Sequence, residues 1–182
     1  MPIDEIVELK LGIKIVPVEG LWKQIGMPGL ISRDLTTIRI DRAVLEDEKH
    51  YQLYRTTIAH EAAHSLLHRD FYSKFSYTNE EGWIRVVQSI SEKDFKFLEW
   101  QAESLGSLIC VPRQHLKREV QTAYQHATQF SKNFNTDQLT RHISQYLTKV
   151  FVVTPSFIRQ RINQDGLLPP PPESLPTLPP SM

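Results

Sequence analysis

The sequence predicts an α+β protein, mainly helical, with a small β-sheet near its N-terminus. Three observations carry that expectation. Two short β-prone runs, "IKIVPV" (13–18) and "LTTIRID" (35–41), lie in the first quarter of the chain. Residues 50–68 contain neither glycine nor proline and read as a long helix. From Ser91 onward, helix start and stop signals follow one another through a series of helical stretches.

"PIDEIVELKLG" reads as an opening helix, with Pro2 tolerated in the first turn and Gly12 stopping it. Pro17 interrupts the run 13–18, which makes it an edge strand. A loop through Gly26, Pro28 and Gly29 follows. The run 35–41 alternates and is β-branched, a strand with an open edge on which an extended substrate could add. Residues 71–82 are aromatic and polar without a clean period, and read as loop. In "SEKDFKFLEWQAESLGSLICVP", Ser91 with Asp94 three residues on resembles a capping box, and Pro112 ends the helix. Pro112 also starts the next helix, Asn133 and Asn135 break it, and "DQLTRHISQYLTKV" makes another. Thr154–Pro155 is a cap and first turn for a last helix that Gly166 ends. The tail "PPPPESLPTLPP" is proline-rich and reads as extended and disordered. The expected organisation is a core over 1–111, a C-terminal helical subdomain over 112–168 packed on it, and the tail over 169–182.

With 182 residues, 40% hydrophobic and 23% charged, the chain has the composition of a globular protein able to bury a core. Lys+Arg and Asp+Glu balance at 21 each, which argues against nonspecific nucleic-acid binding. The single cysteine, Cys110, sits among apolar neighbours as a small buried hydrophobe and cannot form an internal disulfide. No apolar run reaches membrane length, and the acidic, amphipathic start lacks a signal core. These features predict a cytoplasmic protein without membrane partners.

The chemistry concentrates in "TTIAHEAAHSLLHR" (56–69). Four residues of helix advance about 400°, so His60 and His64 stand about 40° apart on one face and can hold one ion from successive turns. Zn²⁺ suits such a pair. Glu61 points toward the open fourth position, where it can take a proton from water. Leu53, Thr57, His60, His64 and Leu67 form a stripe at helical spacing, so both histidines face with apolar neighbours. The third ligand is expected on the second long helix. There Glu99 lies against the stripe Phe95, Leu98, Ala102, Leu105 and Ile109, and a buried carboxylate needs a cation. Glu103, one turn later, could accept a hydrogen bond from a liganding histidine's second nitrogen. His68 continues the histidine stripe but lies about 12 Å along the axis from His60, too far to bind the same ion, and reads as structural. His50, His115, His126 and His142 lie in polar helical stretches and are not expected to bind metal.

"RTTIAHEAAHSLLH" followed by "EWQAESLGSLICVP" resembles the ImmA/IrrE family of zinc metallopeptidases, and the likeness extends over about residues 5–168. The resemblance implies a zincin-like core with a helix-turn-helix-like C-terminal subdomain. It also implies zinc on His60, His64 and Glu99, Glu61 as catalytic base, and Glu103 as the supporting acid. Ala62–Ala63 replace the family's common Leu-Gly pair, and Glu103 is one methylene longer than the usual Asn or Asp.

The expected activity is zinc-dependent peptide-bond hydrolysis of a protein substrate. By the same resemblance that substrate is a helix-turn-helix transcriptional repressor, cut in a regulatory step. A second electrophile would come from Tyr72, Tyr77 or Arg85, which lie between the two ligand helices. Two other readings stand beside this one. The helix pair "HISQYLTKVFVVTPSFIRQRINQ" could make a DNA-binding module, with Arg159, Gln160, Arg161 and Gln164 reaching bases. The zinc site could instead serve a metal-sensing regulator with little turnover.

Overall fold

Helix α1 (Ile3–Glu5) and the π-helical turn Ile6–Lys10 that continues it open the chain, and Gly12 ends them with a positive φ of 69°. Ile3 and Val7 turn inward from this segment. The computed structural model describes residues 2–130 and 135–168, so the predicted break at Asn133 and the tail over 169–182 lie outside the described residues. The fold is α+β and mainly helical. It divides into two compact units, one running to Pro112 and the other starting at Arg113.

In the first unit, β1 (Lys14–Val18) is followed by the short helix α2 (Leu21–Ile25), β2 (Gly29–Ile31) and β3 (Thr37–Asp41). The sheet order is β1-β3-β2, with β1 parallel and β2 antiparallel to β3. Pro17 therefore sits on an edge strand, as expected of a residue without an N–H. The reading of β3 as an open edge is corrected: Thr37–Asp41 pairs on both sides, so no further strand can add to it. The free edge near the predicted site belongs to β2. Ile38 and Ile40 on β3, with Ile31 on β2, are fully buried on one face of the sheet. Asp41 ends β3 and caps α3 (Arg42–Glu46), accepting from the N–H groups of Ala43 at 2.9 Å and Trp22 at 2.7 Å.

A 3-10 turn (Glu48–His50) leads into α4 (Tyr51–Leu67), the helix that carries His60, Glu61 and His64. Instead of one buried stripe, α4 is covered around most of its circumference: Arg55, Ile58, Ala59, Glu61, Ala62, Ala63 and His64 are all buried. Leu67, expected in the stripe, is 46% exposed. Part of the predicted loop 71–82 is helical, as α5 (Arg69–Ser73) and α6 (Glu80–Ser89), the latter capped by the Asn79 side chain on Gly82 N–H. Then α7 (Glu92–Cys110) starts at Ser91, whose hydroxyl accepts from Asp94 N–H at 3.1 Å.

Two glycines allow close packing on α4. A Cβ on Gly29 would stand 2.5 Å from Thr57 Cγ2, and one on Gly106 would stand 3.1 Å from Ala59 O, His60 N and His60 Cα. Strand β2 and helix α7 thus approach α4 to distances that a side chain would forbid. The buried face of α7 is made of small groups, Ala102, Gly106, Ser107 and Cys110, while Leu105 and Ile109 are half-buried. In the second unit, α8 (Arg113–Phe130), α9 (Thr136–Phe151) and α10 (Pro155–Gln164) form a helical cluster. Asn135 and Gln138 close a capping box on α9, and the Thr154 hydroxyl caps α10. Leu139, Ile143, Leu147, Ile158 and Ile162 are buried there. Among the described residues no helix is long and apolar enough to cross a membrane.

Candidate metal centre

The close packing at Gly106 holds α7 against the middle of α4, and that sets Glu99 opposite the two histidines. Glu99 Oε2 lies 3.2 Å from His60 Nε2, and Glu99 Oε1 lies 3.5 Å from His64 Nε2. The two Nε2 atoms are 3.0 Å apart. Among the described residues this is the one group of three or more His, Cys, Asp or Glu side chains able to hold a metal ion. A tetrahedral ion with bonds of about 2.0–2.1 Å needs ligand atoms about 3.3–3.4 Å apart. The two separations to Glu99 lie within about 0.2 Å of that need, and the two Nε2 atoms would move apart by a few tenths of an ångström around an ion. Two imidazoles and one carboxylate also form a donor set that suits zinc and leaves one position free. His64 is 5% exposed at its side chain, whereas His60 and Glu99 are 27% and 31% exposed, so solvent reaches the centre from their side.

The electrostatics fit a cation site. Burial, reinforced by the neighbouring His60 and His68, pushes the His64 imidazolium down to about 2, which keeps its ring neutral as a metal ligand requires. At His60 burial pushes the same way, but Glu99, Glu61 and Glu103 together outweigh it and the net direction is upward. Three carboxylates gathered about one imidazole make a field that attracts a cation.

Glu61 reaches the sheet. Its Oε2 accepts the Ile31 N–H at 2.7 Å, and the residue is 4% exposed. Burial raises its carboxyl to about 6, against the lowering pull of His60 and the Ile31 N–H. The carboxylate is therefore fixed on the outward side of β2, next to the metal group but outside it.

The remaining sequence-derived assignments divide. Glu103 is exposed on α7 and adds its charge to the field at His60. The second nitrogen of His64 meets His68 instead: the two Nδ1 atoms are 2.9 Å apart, and His68 Nε2 lies 3.2 Å from Gln101 Oε1. His68 lies outside the His60–His64–Glu99 group but touches one of its members. Its spacing of four residues from His64 was the signal available in the sequence. Tyr72 is buried in a T-shaped contact with His64, at 6.0 Å between centroids, and stacks on Trp83 at 5.5 Å. Tyr77 lines a pocket of about 260 Å³ beside β2, together with Leu30, Ile31, Arg33, Arg39 and Asn79. Its hydroxyl is buried with no hydrogen-bond partner among the described residues. Arg85 is solvent-exposed on α6.

In the C-terminal unit, Arg161 cannot serve as a base-reading residue. It is 3% exposed and bonded to Asp165 at 2.8 Å, because it falls on the inward face with Ile158 and Ile162. Arg159, Gln160 and Gln164 are exposed.

Comparison with protein-family models, curated proteins and solved structures finds no match to this chain. The functional reading therefore stands on the site's own geometry and on the motifs described above.

Proposed function

We propose that the protein is a zinc-dependent endopeptidase acting on a protein substrate. The observation that carries the reading is the buried Glu61 carboxylate, which feels the charges of His60 and Glu99 and is bonded to the Ile31 N–H on the outer edge of β2. A metal-binding protein without turnover has no need of a buried carboxylate there, since its one hydrogen bond, from the Ile31 N–H, does not offset the cost of burying a charge. A hydrolase does need a base beside the ion.

Zinc bound by His60, His64 and Glu99 would supply Lewis-acid chemistry, acidifying water and polarising a carbonyl. The rest falls to the chain. Gly29 and Ile31 lie on β2, and the Ile31 N–H is directed off the sheet edge to Glu61. An extended substrate segment adding to that edge would run past Glu61 and take over the Ile31 N–H from its carboxylate as a backbone hydrogen bond, releasing the carboxylate. Glu61 would take the proton of the attacking water and pass it to the leaving amine. The pocket beside β2 would receive a substrate side chain, and the unpartnered Tyr77 hydroxyl would be a donor for a developing negative charge. The resemblance to ImmA/IrrE peptidases adds the proposal that the substrate is a helix-turn-helix repressor and the cleavage regulatory.

Cleavage of a proteome-derived peptide library by zinc-loaded protein tests this, with Glu61→Gln as comparison. Cleavage by the wild type and a loss of about 10²–10⁴-fold in the variant at unchanged zinc content are expected. A variant that cleaves like the wild type, or a zinc-loaded wild type that cleaves nothing, refutes the reading.

A further inference from the structure

If the His60–His64–Glu99 group holds a metal, as proposed above, His64 must be held ready to turn one ring nitrogen toward the ion. His68 forms the C-cap of α4 and is pinned by backbone hydrogen bonds on both sides. Its N–H donates to His64 O at 2.9 Å, and its carbonyl accepts from Tyr72 N–H at 3.0 Å. The His64 and His68 rings lie 4.9 Å apart, both residues being 4% exposed. Water therefore has little access to the nitrogens between them. Beyond His68 comes Gln101 of α7, two residues after the ligand Glu99.

A neutral imidazole carries its proton on one nitrogen, and the partner of each nitrogen decides which. For His64 to turn a lone pair toward the ion from Nε2, its proton must sit on Nδ1. That nitrogen then donates to His68 Nδ1, which leaves His68 protonated on Nε2. The Nε2–H in turn meets Gln101 Oε1, which only accepts. Every link is satisfied by this one arrangement. The opposite arrangement needs Gln101 to present its NH₂ group, runs all donors the other way, and ends with a proton on His64 Nε2, where the ion must bind.

We propose that His68 and Gln101 are positioning residues, a one-way hydrogen-bond chain that fixes the metal-competent tautomer of His64. Helix α7 then contributes twice to the centre: Glu99 as a ligand, and Gln101 as the end of the chain that orients another ligand. Partners of this kind typically change metal affinity by about 10–100-fold when removed.

Two measurements test the chain. Ring ¹⁵N chemical shifts, in metal-free and zinc-loaded protein, should report His64 protonated on Nδ1 and His68 on Nε2. Chelator-competition titrations should find zinc bound about 10–100-fold more weakly by His68→Leu. His68→Asn, whose side-chain oxygen can stand where Nδ1 stood, should stay close to wild type. Gln101→Met, which keeps bulk but removes the acceptor, should weaken zinc in the same direction as His68→Leu. Should His68→Leu fail to fold, the contrast between His68→Asn and Gln101→Met carries the same comparison. His68 protonated on Nδ1, or zinc affinity indifferent to loss of the acceptors, overturns the proposal. A wild type with no zinc affinity removes the metal reading instead, and the shifts of the metal-free protein still decide the direction of the chain.

Discussion

Replacing Gly106 by alanine places one methyl group where helix α7 meets the backbone of α4. The new Cβ would lie 3.1 Å from Ala59 O, His60 N and His60 Cα. Relaxed contacts to carbon stand at about 3.5–4.0 Å, so the helices must part by a few tenths of an ångström. Alanine gains about 0.8–1 kcal/mol of helix propensity over glycine. Overpacking of this kind costs about 1–3 kcal/mol, and the opposing atoms are mid-helix backbone that cannot swing aside. The expected balance is a loss of about 0–2 kcal/mol in the metal-free protein. Metal binding should suffer as well, since Glu99 lies seven residues, about 10 Å, along the same helix. Parting the helices lengthens the 3.2 and 3.5 Å separations between Glu99 and the histidines, and metal sites tolerate only about 0.2 Å. If closing on the ion restores about 1–2 kcal/mol of strain, zinc affinity falls by about 5–30-fold. Urea denaturation of the metal-free protein and chelator competition read the two effects separately. A Gly106→Ala protein that is stabilised by the full propensity gain and binds zinc like wild type would refute the argument that this close approach builds the site.

The same logic at Gly29 is testable by rescue. Gly29→Ala sets a Cβ 2.5 Å from Thr57 Cγ2 and should destabilise by about 1–3 kcal/mol; adding Thr57→Ser deletes that methyl and should recover part of the loss. Equal stability of the single and double variants by chemical denaturation would show that β2 does not press on α4 there. Burial pushes the Cys110 thiol up to about 11, so at pH 8 the native protein should react with a thiol-specific disulfide reagent far more slowly than the unfolded chain. Rapid labelling without denaturant would mean that the α4–α7 interface opens readily.

Local patterns in the sequence determined many of the elements of this protein and pointed to the three residues that could hold a metal ion. Pro17 marked an edge strand, Ser91, Thr154 and Pro155 marked helix starts, and the four-residue step from His60 to His64 set two imidazoles on one face, because each depends only on backbone geometry over a few residues. Glu99 was singled out as a carboxylate beside an apolar stripe, and the fold brings it to His60 and His64, although its side chain stays 31% exposed. What surrounds those residues was decided in three dimensions. The β3 run carries no proline or other local mark of its place in a sheet, so it became central only when β1 and β2 paired on either side of it. Helix α4 lacks a single buried stripe because the sheet and α7 enclose it from different directions, and Gly29 and Gly106 acquire meaning only from the atoms they face. The same holds for His64, His68 and Gln101. Hydrogen-bond direction between buried rings follows from what lies beyond the last ring, and here that group comes from a helix 33 residues farther along the chain than His68.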